Sequence, residues 1–352
     1  PPRYSSSAAS DVYKRQNNKQ SLSVLESYNA FMSIMSGDCV DGDISNFLIG
    51  LKNKGESIDE IIGAVRAIIE KMITITVPDG AIDIVGTGGD GYKTLNISTA
   101  SALVVASNNI KVAKHGNRSV SSLSGSSDIL TELGVNIDIK PDSCVECIND
   151  TNICFLFAPL FHGSFKHVAK VRAELKTRTI FNILGPMCNP ANVKKHLIGA
   201  YDLALLRPMT EVLKNLGSEA AWLVHSNDGL DEVSISDKTF IHKLDSGHIS
   251  EEVFEVKDTN IRPAKISEIV GGDASHNAKE LIKIFKGEKF KTILTIMNTS
   301  SVYKLSAIKM TVRVGKPTGQ SQDLYLLNEG IKDMQPRAIV SFPVNFCVDN
   351  SD

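Results

Sequence analysis

Two stretches of the 352-residue sequence have the residue types and spacing of a ligand-binding or catalytic site. The first runs Gly86-Thr-Gly-Gly-Asp90 and continues to Asn96-Ile-Ser-Thr99. Glycines let backbone N–H groups approach an anion closely, and a helix N-terminus attracts a diphosphate. We expect Ser98 or Thr99 to cap the helix that follows. The stretch predicts a phosphate site, although a tight turn with a helix cap would explain it equally well by itself.

The glycines formally satisfy the G-x-G-x-x-G pattern of dinucleotide-binding loops, with Gly86, Gly88 and Gly91 in the three places. Two features exclude that class. The residues 92–96 separate the glycines from the helix, and the region that should supply an acidic ribose ligand reads Lys111-Val-Ala-Lys114. No G-K-[ST] closes the loop, so the Walker pattern fails as well.

The second stretch, Lys114-His-Gly-Asn-Arg-Ser-Val-Ser-Ser122, combines basic side chains with hydroxyls, and Ser126 follows it closely. Lys114, His115 and Arg118 supply positive charge, and the serines supply small hydrogen-bond donors, which is the chemistry of a phosphate cradle. A solvated surface loop is the alternative for this stretch alone. Because both stretches follow strands of one predicted parallel sheet, they should lie side by side, and together they predict a phosphate-binding cleft.

The elements that must position these loops change character along the chain. The pattern over residues 21–75 is helical, and Ser57 and Glu60 have the spacing of a capping box. From Ala81 onward, short β-rich runs alternate with helical ones, which is typical of a mostly parallel sheet flanked by helices. The predicted strands are 82–85, 110–113, 136–139, 154–157, 197–201 and 221–225. The predicted helices between them are 99–107, 126–133, 142–148 and 206–216.

Composition narrows the class of protein. The formal charge of -2 provides no global basic field for nucleic acid, although it does not exclude a local basic patch. No apolar run reaches the roughly 18–20 residues that a membrane helix needs, and no signal peptide opens the sequence. The six cysteines are irregularly placed, which favours a reduced cytoplasm over a disulfide framework. We expect a cytoplasmic protein that binds neither membranes nor nucleic acid.

A set of motifs spread over residues 24–286 resembles the signature of anthranilate phosphoribosyltransferases. They are Gly86-Thr-Gly-Gly-Asp90, Asn96-Ile-Ser-Thr99, Lys114-His-Gly-Asn-Arg-Ser-Val-Ser-Ser122, Phe155-Leu-Phe-Ala-Pro159, Val171-Arg172, Arg178-Thr-Ile-Phe-Asn-Ile-Leu-Gly-Pro186 and Asp231-Glu232. The resemblance implies an α/β fold with a small all-helical domain and a large domain built on a mostly parallel central sheet flanked by helices. It also implies Mg²⁺, a homodimer, and transfer of a phosphoribosyl group from 5-phosphoribosyl 1-diphosphate to anthranilate in tryptophan biosynthesis.

The resemblance implies a discontinuous helical domain, residues 21–78 with helices from around 165–185, and a large domain of residues 79–164 and 186–352. Residues 1–20 have no apolar periodicity, so we expect a disordered or non-native extension. The segment from about residue 290 departs from the family, whose chains end in long apolar helices. Here Lys316-Pro-Thr-Gly-Gln and Ser341-Phe-Pro-Val-Asn break helical periodicity.

The resemblance also implies a role for individual residues. Those implied for phosphoribosyl diphosphate are Gly86, Gly89, Asp90, Thr94, Asn96, Ile97, Ser98, Thr99, Lys114, His115, Gly116, Asn117, Arg118, Ser119, Val120, Ser121, Ser122 and Ser126. Those implied for anthranilate are Gly86, Asn117 and Arg172, and those implied for Mg²⁺ are Ser98, Asp231 and Glu232. Without the family, Asp231-Glu232 would be a solvated turn and Arg172 a charged residue on an amphipathic helix. No general base is evident, so we expect the ortho carboxylate of anthranilate to take the amine proton.

Two other groups of residues could bind metal, and we predict that neither does. Cys144 and Cys147 lie one turn apart on a predicted helix and Cys154 begins a buried strand, which favours a structural role over a redox or zinc site. His162 and His167 lack metal-ligand spacing, so we expect them on helix surfaces.

Two rival functions stay open at this point. One is a nucleoside phosphorylase of the same fold, and the other is a non-catalytic relative that binds nucleic acid. The intact acidic pair and the near-neutral charge argue against the second rival.

Overall fold

The computed structural model describes residues 19–118, 124–259, 263–286, 311–315 and 321–326. The first elements of this part are the helices Val24–Ser36 (α1), Asp41–Lys54 (α2) and Ile58–Lys71 (α3). The capping box predicted for Ser57 and Glu60 is confirmed at the start of α3. Glu60 is completely buried, where it also accepts hydrogen bonds from the Leu22 N–H at 2.9 Å and from Lys54 Nζ at 2.7 Å. The capping residue Glu60 therefore stabilises the start of α3 and also links it to Lys54 of α2 and to Leu22 before α1.

A later segment of the chain packs against these three helices. It contains Lys166–Leu175 (α8) and Phe181–Leu184 (α9), and both contribute to the same hydrophobic core as α1–α3. The Phe31 ring makes edge contacts with Phe47 at 5.5 Å and with Phe181 at 5.8 Å between ring centroids. Aromatic rings prefer this arrangement over face-to-face stacking. The helical unit is thus assembled from two parts of the sequence that are far apart.

Within the described residues, seven strands form one sheet in the order β3-β2-β1-β4-β5-β6-β7. They are Ile82–Gly86 (β1), Val112–Gly116 (β2), Ile153–Phe157 (β3), Lys195–Gly199 (β4), Ala220–Ser226 (β5), Thr239–Asp245 (β6) and His248–Phe254 (β7). The pairs among β1–β5 are parallel, and the pairs β5–β6 and β6–β7 are antiparallel. The expected mostly parallel sheet is confirmed.

Helices connect and cover the strands, as the βαβα pattern predicts. They are Ile97–Ser107 (α4), Ser126–Glu132 (α5), Pro141–Thr151 (α6), Ala158–Phe161 (α7), Leu206–Asn215 (α10) and Ala274–Phe285 (α11). Short 3-10 helices occur at Gly163–Phe165, Gly185–Met187, Leu203–Leu205, Val256–Asp258 and Ile266–Glu268. No helix in the described ranges is long and apolar enough to cross a membrane.

The strand order places a switch point between β1 and β4. The chain passes from β1 to β2 on one side and later returns to β4 on the other side of β1. Connections that leave the sheet in opposite directions open a crevice beyond the carboxyl ends of the two strands, where ligands bind in open α/β sheets. Gly86 ends β1 and Gly199 ends β4, and the two are paired in register. This is where the glycine-rich stretch begins.

One predicted strand was wrong, and two strands of the sheet were not predicted. Residues 136–139 form no strand, because the Asn136 side chain accepts the Asp138 N–H at 3.0 Å and Ile137 is buried without joining the sheet. The hairpin of β6 and β7 was not predicted. Its turn uses Ser246 and Gly247 at φ of 50° and 82°, a left-handed pair that suits a two-residue hairpin loop.

The atypical C-terminal segment is described only in part. Thr311–Gly315 (β8) and Ser321–Leu326 (β9) pair as an antiparallel hairpin. The stretches 316–320 and 341–345, in which helical periodicity breaks, lie outside the described residues, as do residues 1–18 of the expected extension.

Candidate active site

The glycine-rich stretch forms a loop that is clamped to the end of β4. Gly88, Gly89 and Gly91 have φ of 65°, 80° and 86°, a conformation that residues with a Cβ rarely adopt. The Thr87 N–H donates to the Gly199 carbonyl at 2.8 Å, and Thr87 Oγ1 accepts the Tyr201 N–H at 3.0 Å. The loop therefore lies over the switch point between β1 and β4.

The helix after this loop starts earlier than predicted. α4 begins at Ile97 and its N-cap is Asn96, so the expectation that Ser98 or Thr99 caps the helix was wrong. The Asn96 side chain makes no cap bond, because its amide donates to the Ser124 carbonyl at 3.2 Å and accepts from Asn277 at 2.9 Å. Ser98 and Thr99 thus lie in the first turn, where backbone N–H groups have no partner within the helix. The Asn96 side chain therefore connects the start of α4 to Ser124 and to Asn277 of α11 instead of capping the helix.

Lys114 is the buried cation of the second stretch. It lies on β2 with 2% of its surface exposed, and its Nζ donates to the Ile84 carbonyl at 2.6 Å and lies 3.4 Å from Ser98 Oγ. Burial lowers the pKa of Lys114 to about 8, while the nearby charges of Asp83 and Glu232 oppose that change. The predicted basic residue is therefore brought to the start of α4.

His115 points to the opposite face of β2, since side chains alternate along a strand. Its Nε2 lies 3.2 Å from Nε2 of His162, and burial together with the His162 and Lys114 charges lowers the pKa of His115 to about 3. His162 is only 5% exposed, so the expectation that it lies on a helix surface was wrong. It follows the short helix α7 and packs against the underside of β2, whereas His167 is half-buried on α8.

Asp83 is a buried acid that the motifs did not reveal. It accepts the His115 N–H at 3.1 Å and the Asn189 side-chain amide at 2.7 Å. Burial raises the pKa of Asp83 to about 6, and the nearby Lys114 and these hydrogen bonds oppose the rise. The sequence signal was a lone carboxylate inside the apolar run of β1. Its hydrogen bond to the His115 N–H holds β2 in place behind the two candidate phosphate loops.

The last residue of β2, where the chain turns into the second loop, must be a glycine. A Cβ on Gly116 would lie 2.4 Å from Ser126 Oγ and 2.7 Å from the Phe155 ring. Ser126 Oγ in turn lies 3.4 Å from the Asn117 carbonyl, and the Asn117 side chain accepts the Arg118 N–H at 2.7 Å. The ends of the second loop thus meet at this turn. The candidate residues Ser119, Val120, Ser121 and Ser122 lie outside the described residues.

The acidic pair is not a solvated turn. Asp231 is 8% exposed, and its Oδ2 accepts the Gly88 N–H at 2.9 Å. Burial and the charge of Asp90 raise the pKa of Asp231 to about 7. Burial and the charge of Asp231 likewise raise the pKa of Glu232, and Lys114 lowers it. Three acids from two loops, Asp90, Asp231 and Glu232, therefore lie close together. The positive charge of Lys114 compensates part of their negative charge.

Two glycines make room for Asp231. A Cβ on Gly199 would lie 1.6 Å from the Asp231 carbonyl oxygen, and one on Gly86 would lie 2.8 Å from Asp231 Oδ2. The last residues of β1 and β4 must therefore lack a side chain so that Asp231 can approach the strand ends. A small cavity between the strand ends and the start of α4 is lined by Ile84, Val85, Ile97, Ser98, Ser101, Leu197, Gly199, Val224, Glu232 and Val233.

These acids suit Mg²⁺ better than a metal held by protein alone. Within the described ranges, no three His, Cys, Asp or Glu side chains have the geometry of a metal cluster. Mg²⁺ usually keeps several waters and binds through one or two carboxylates plus substrate phosphates. Burial and the charges of neighbouring acids raise the pKa values of Asp231 and Glu232, and a bound cation would favour their charged forms. The donors present fit a cation that arrives with a phosphate ligand.

Arg172 lies on α8 in the helical unit. Its guanidinium carbon is 5.4 Å from the centroid of the Phe181 ring, and burial lowers the pKa of Arg172. A half-buried arginine held over an aromatic ring has its planar fork already oriented, which suits a carboxylate partner. After α8, residues 176–180 lead to α9, and Arg178 of this connection donates a hydrogen bond to the Gly89 carbonyl. The helical unit thus reaches the glycine loop.

Comparison with known proteins decides the family. The chain matches the model described as glycosyl transferase family, a/b domain over residues 79–320, and the helical bundle domain of the same family over residues 10–72. It is 46% identical to an anthranilate phosphoribosyltransferase from Rhodopseudomonas palustris (strain BisA53) over 75% of this chain and 78% of the relative. The enzyme of that name from Thermoanaerobacter sp. (strain X514) is 40% identical over 91% of this chain and 94% of the relative. The chain belongs to the anthranilate phosphoribosyltransferase family.

Solved structures of anthranilate phosphoribosyltransferases have the same fold. The Thermus thermophilus structure superimposes with a TM-score of 0.74 at 34% identity, covering 79% of this chain and 83% of that one. A Saccharomyces cerevisiae structure in complex with PRPP and Mg has a TM-score of 0.74 at 26% identity, covering 82% and 86%. Another from that yeast, in complex with 4-fluoroanthranilate, has a TM-score of 0.73 at 26% identity, covering 82% and 83%. The small helical and large α/β architecture expected for an anthranilate phosphoribosyltransferase is confirmed.

The cysteines singled out in the sequence lie in the core of the large domain. Cys144 and Cys147 on α6 and Cys154 on β3 are buried thiols in one hydrophobic cluster. Burial raises the pKa of Cys144 to about 11, so the thiol is neutral and unreactive near pH 7. Their role is to pack α6 against the sheet.

Proposed function

We propose that this chain transfers the phosphoribosyl group of 5-phosphoribosyl 1-diphosphate to the amine of anthranilate, giving N-(5-phosphoribosyl)anthranilate and diphosphate. The observation that carries this proposal is the meeting of the glycine loop with the Asp231-Glu232 pair and Lys114 at the sheet's switch point. The relatives and the yeast complexes with PRPP and Mg and with 4-fluoroanthranilate support it. The step belongs to tryptophan biosynthesis.

The substrate diphosphate would bind between the two loops. The residues proposed for it are Gly86, Gly89, Asp90, Thr94, Asn96, Ile97, Ser98, Thr99, Lys114, His115, Gly116, Asn117, Arg118, Ser119, Val120, Ser121, Ser122 and Ser126. The positive-φ glycines and the first turn of α4 offer backbone N–H groups, and Lys114 offers a buried charge. His115 would contribute through its backbone, because its ring faces His162 on the other side of β2.

Mg²⁺ would be held by Asp231, Glu232 and the Ser98 hydroxyl together with the diphosphate. When bound, the ion neutralises the charge that develops on the leaving diphosphate. Asp231 has a second task in the protein itself, since it accepts the Gly88 N–H and so orients the glycine loop.

Anthranilate would bind near Gly86, Asn117 and Arg172, with its carboxylate on the Arg172 guanidinium. A side chain that acts as general base for the amine is not needed in this scheme, because the ortho carboxylate of the substrate takes the proton. His115 is the only imidazole in the two phosphate-loop motifs, and its low pKa of about 3 makes it a poor base. Catalysis then rests on positioning and on charge stabilisation around an oxocarbenium-like ribose.

We also propose that the chain forms a homodimer. Leu25 on α1 and Val40 before α2 are 66% and 67% exposed, and association through the helical unit would cover such apolar side chains. Sedimentation velocity at several protein concentrations measures the state directly, and a concentration-independent monomer would contradict this part of the proposal.

The decisive experiment follows the fluorescence of anthranilate with purified protein, 5-phosphoribosyl 1-diphosphate and Mg²⁺. We expect a decay that requires both additions and stops with EDTA. A matched reaction with inorganic phosphate and a pyrimidine nucleoside tests whether the protein has nucleoside phosphorylase activity instead. A folded protein that leaves anthranilate unchanged would refute the proposed function, and release of a free base would favour the phosphorylase.

A further inference from the structure

Arg178 makes two contacts that join separate parts of the molecule. Its Nη2 donates a hydrogen bond to the Gly89 carbonyl of the glycine loop. Its guanidinium carbon also lies 4.0 Å from the centroid of the Tyr201 ring, close enough for a cation–π stack. Arg178 belongs to the connection between α8 and α9, whereas Gly89 and Tyr201 follow β1 and β4. One exposed side chain thus bridges the helical unit and the switch point.

The two groups that Arg178 contacts, the glycine loop and Tyr201, are also bonded to each other. The Tyr201 N–H donates to Thr87 Oγ1 at 3.0 Å, and the Thr87 N–H donates to the Gly199 carbonyl at 2.8 Å. Tyr201 is therefore fastened to the start of the same loop whose middle Arg178 holds at Gly89. The stacked ring in turn fixes the plane of the guanidinium. A planar fork that is already oriented loses less freedom when it forms hydrogen bonds.

The loop needs such restraint because of its composition. Gly88, Gly89 and Gly91 all have positive φ, and glycine loses more backbone freedom on ordering than any other residue. Asp231 holds the peptide before Gly88 through its N–H, and Arg178 holds the peptide after Gly89 through its carbonyl. The peptide between them carries the Gly89 N–H, and its orientation is set by these two neighbours. Loss of either neighbour would release it.

The connection that carries Arg178 is itself anchored. Lys52 Nζ of α2 donates a hydrogen bond to Thr177 Oγ1, and Lys176 adopts a left-handed turn with φ of 46°. Thr177 therefore contacts the helical unit, and the next residue, Arg178, contacts the glycine loop. The same connection joins α8, which carries Arg172, to α9, whose Phe181 ring lies against Arg172. A shift of this segment would move both candidate substrate sites.

We propose that Arg178 is a positioning residue that orients the glycine loop for the diphosphate and couples it to the helix that carries Arg172. It acts through the Gly89 carbonyl and the Tyr201 ring rather than by touching the substrate. The link to the diphosphate rests on the proposed function. The restraint of the loop itself does not, so the two can be tested separately.

The first measurement is hydrogen–deuterium exchange of the full chain without any ligand. We expect Arg178→Ala to speed exchange of the amides of residues 87–92 by about tenfold, as expected for one lost charge-assisted hydrogen bond. Tyr201→Leu, which removes the ring that orients the guanidinium, should change exchange in the same direction. Tyr201→Phe keeps the ring and should leave exchange unchanged. Arg207→Ala is the matched control, because Arg207 is 53% exposed and pairs with Glu211 on α10. Unchanged exchange in Arg178→Ala would overturn the proposal.

The second measurement separates KM from kcat in the anthranilate assay. We expect Arg178→Ala and Tyr201→Leu to raise KM for 5-phosphoribosyl 1-diphosphate by about tenfold, with a smaller change in kcat. Arg178→Lys keeps the charge but not the fork or its stacking geometry, so it should resemble the alanine variant. Full rescue by lysine would assign Arg178 a direct charge on the diphosphate and overturn the positioning role. If the wild type has no transfer activity, the proposed function fails, and the exchange data still decide whether Arg178 restrains the loop.

Discussion

The Oδ2 atom of Asp231 accepts a hydrogen bond of 2.9 Å from the backbone N–H of Gly88. These residues are 143 positions apart, and one belongs to the candidate metal pair while the other belongs to the candidate phosphate loop. The contact is possible because Gly199 has no Cβ to meet the Asp231 backbone. It joins the two halves of the site through groups of the protein itself.

Replacement of Asp231 by asparagine should strongly reduce phosphoribosyl transfer while the protein stays folded. In Asp231→Asn the amide oxygen can still accept the Gly88 N–H, but the charge that would attract Mg²⁺ is lost. We expect kcat/KM to fall by on the order of 100-fold and the Mg²⁺ requirement to rise, as when a group that stabilises developing charge is removed. Asp245→Asn, at an exposed strand end, should behave as wild type. Wild-type activity and an unchanged Mg²⁺ titration in Asp231→Asn would exclude Asp231 from the site.

Arg172 should govern the affinity for anthranilate. We expect Arg172→Lys to raise KM for anthranilate by roughly 10- to 100-fold, because a lysine cannot reproduce a fork that pairs with a carboxylate. KM for the diphosphate substrate should change little. Lys170→Ala provides the control on the same helix, where Lys170 is 70% exposed and pairs with Asp41 at the surface. Equal effects on both KM values would point to a disturbed helix instead of a lost partner.

Gly199 should tolerate no side chain. A Cβ there would lie 1.6 Å from the Asp231 carbonyl, so Gly199→Ala must displace the acidic pair. We expect a loss of about 1–3 kcal/mol in the free energy of unfolding, as for other overpacked sites, together with loss of activity. Gly42→Ala in α2 meets nothing within 4 Å and should be neutral or stabilising. Urea denaturation of both variants gives the comparison, and a stable, active Gly199→Ala would contradict this packing.

Buried histidines should make the protein sensitive to acid. Burial lowers the pKa of His196 to about 4, below its value of 6.5 in an unfolded chain. Between these values the unfolded state binds more protons, so stability falls as the pH drops from about 6.5 to 4. One such group contributes at most about 1.4 kcal/mol per pH unit. We expect thermal unfolding midpoints to depend less on pH in His196→Gln than in the wild type, whatever the absolute stability of the variant.

The exposed His248 supplies the control for this pH experiment. His248→Gln should retain the pH dependence of the wild type. His115 and His162 also have pKa values lowered by burial, to about 3 and about 4, so some acid sensitivity should remain in His196→Gln. Identical pH profiles for His196→Gln and wild type would show that His196 is not the source.

Features that depend on neighbours in sequence could be predicted. The capping box at Ser57 and Glu60 was confirmed, since its hydrogen bonds span three residues. The apolar runs of β1–β5 were also found, with boundaries shifted by at most a few residues. The cap of α4 was wrong, because Asn277 and Ser124 determine the position of Asn96 from far away in the chain. Residues 136–139 look like a strand but find no partner strand.

The amino-acid sequence by itself determined the class of fold, the position of both candidate phosphate loops at strand ends, and the family, because periodicity and motif spacing are local. Only the tertiary structure decided how those parts meet. The Gly88–Asp231 hydrogen bond, the burial of Asp83 and His162, and the bridge from Arg178 to Gly89 each join residues more than 30 positions from their partners. Such contacts depend on the order and twist of the strands and on the positions where a Cβ would clash with a neighbouring segment. A linear sequence pattern contains neither kind of information.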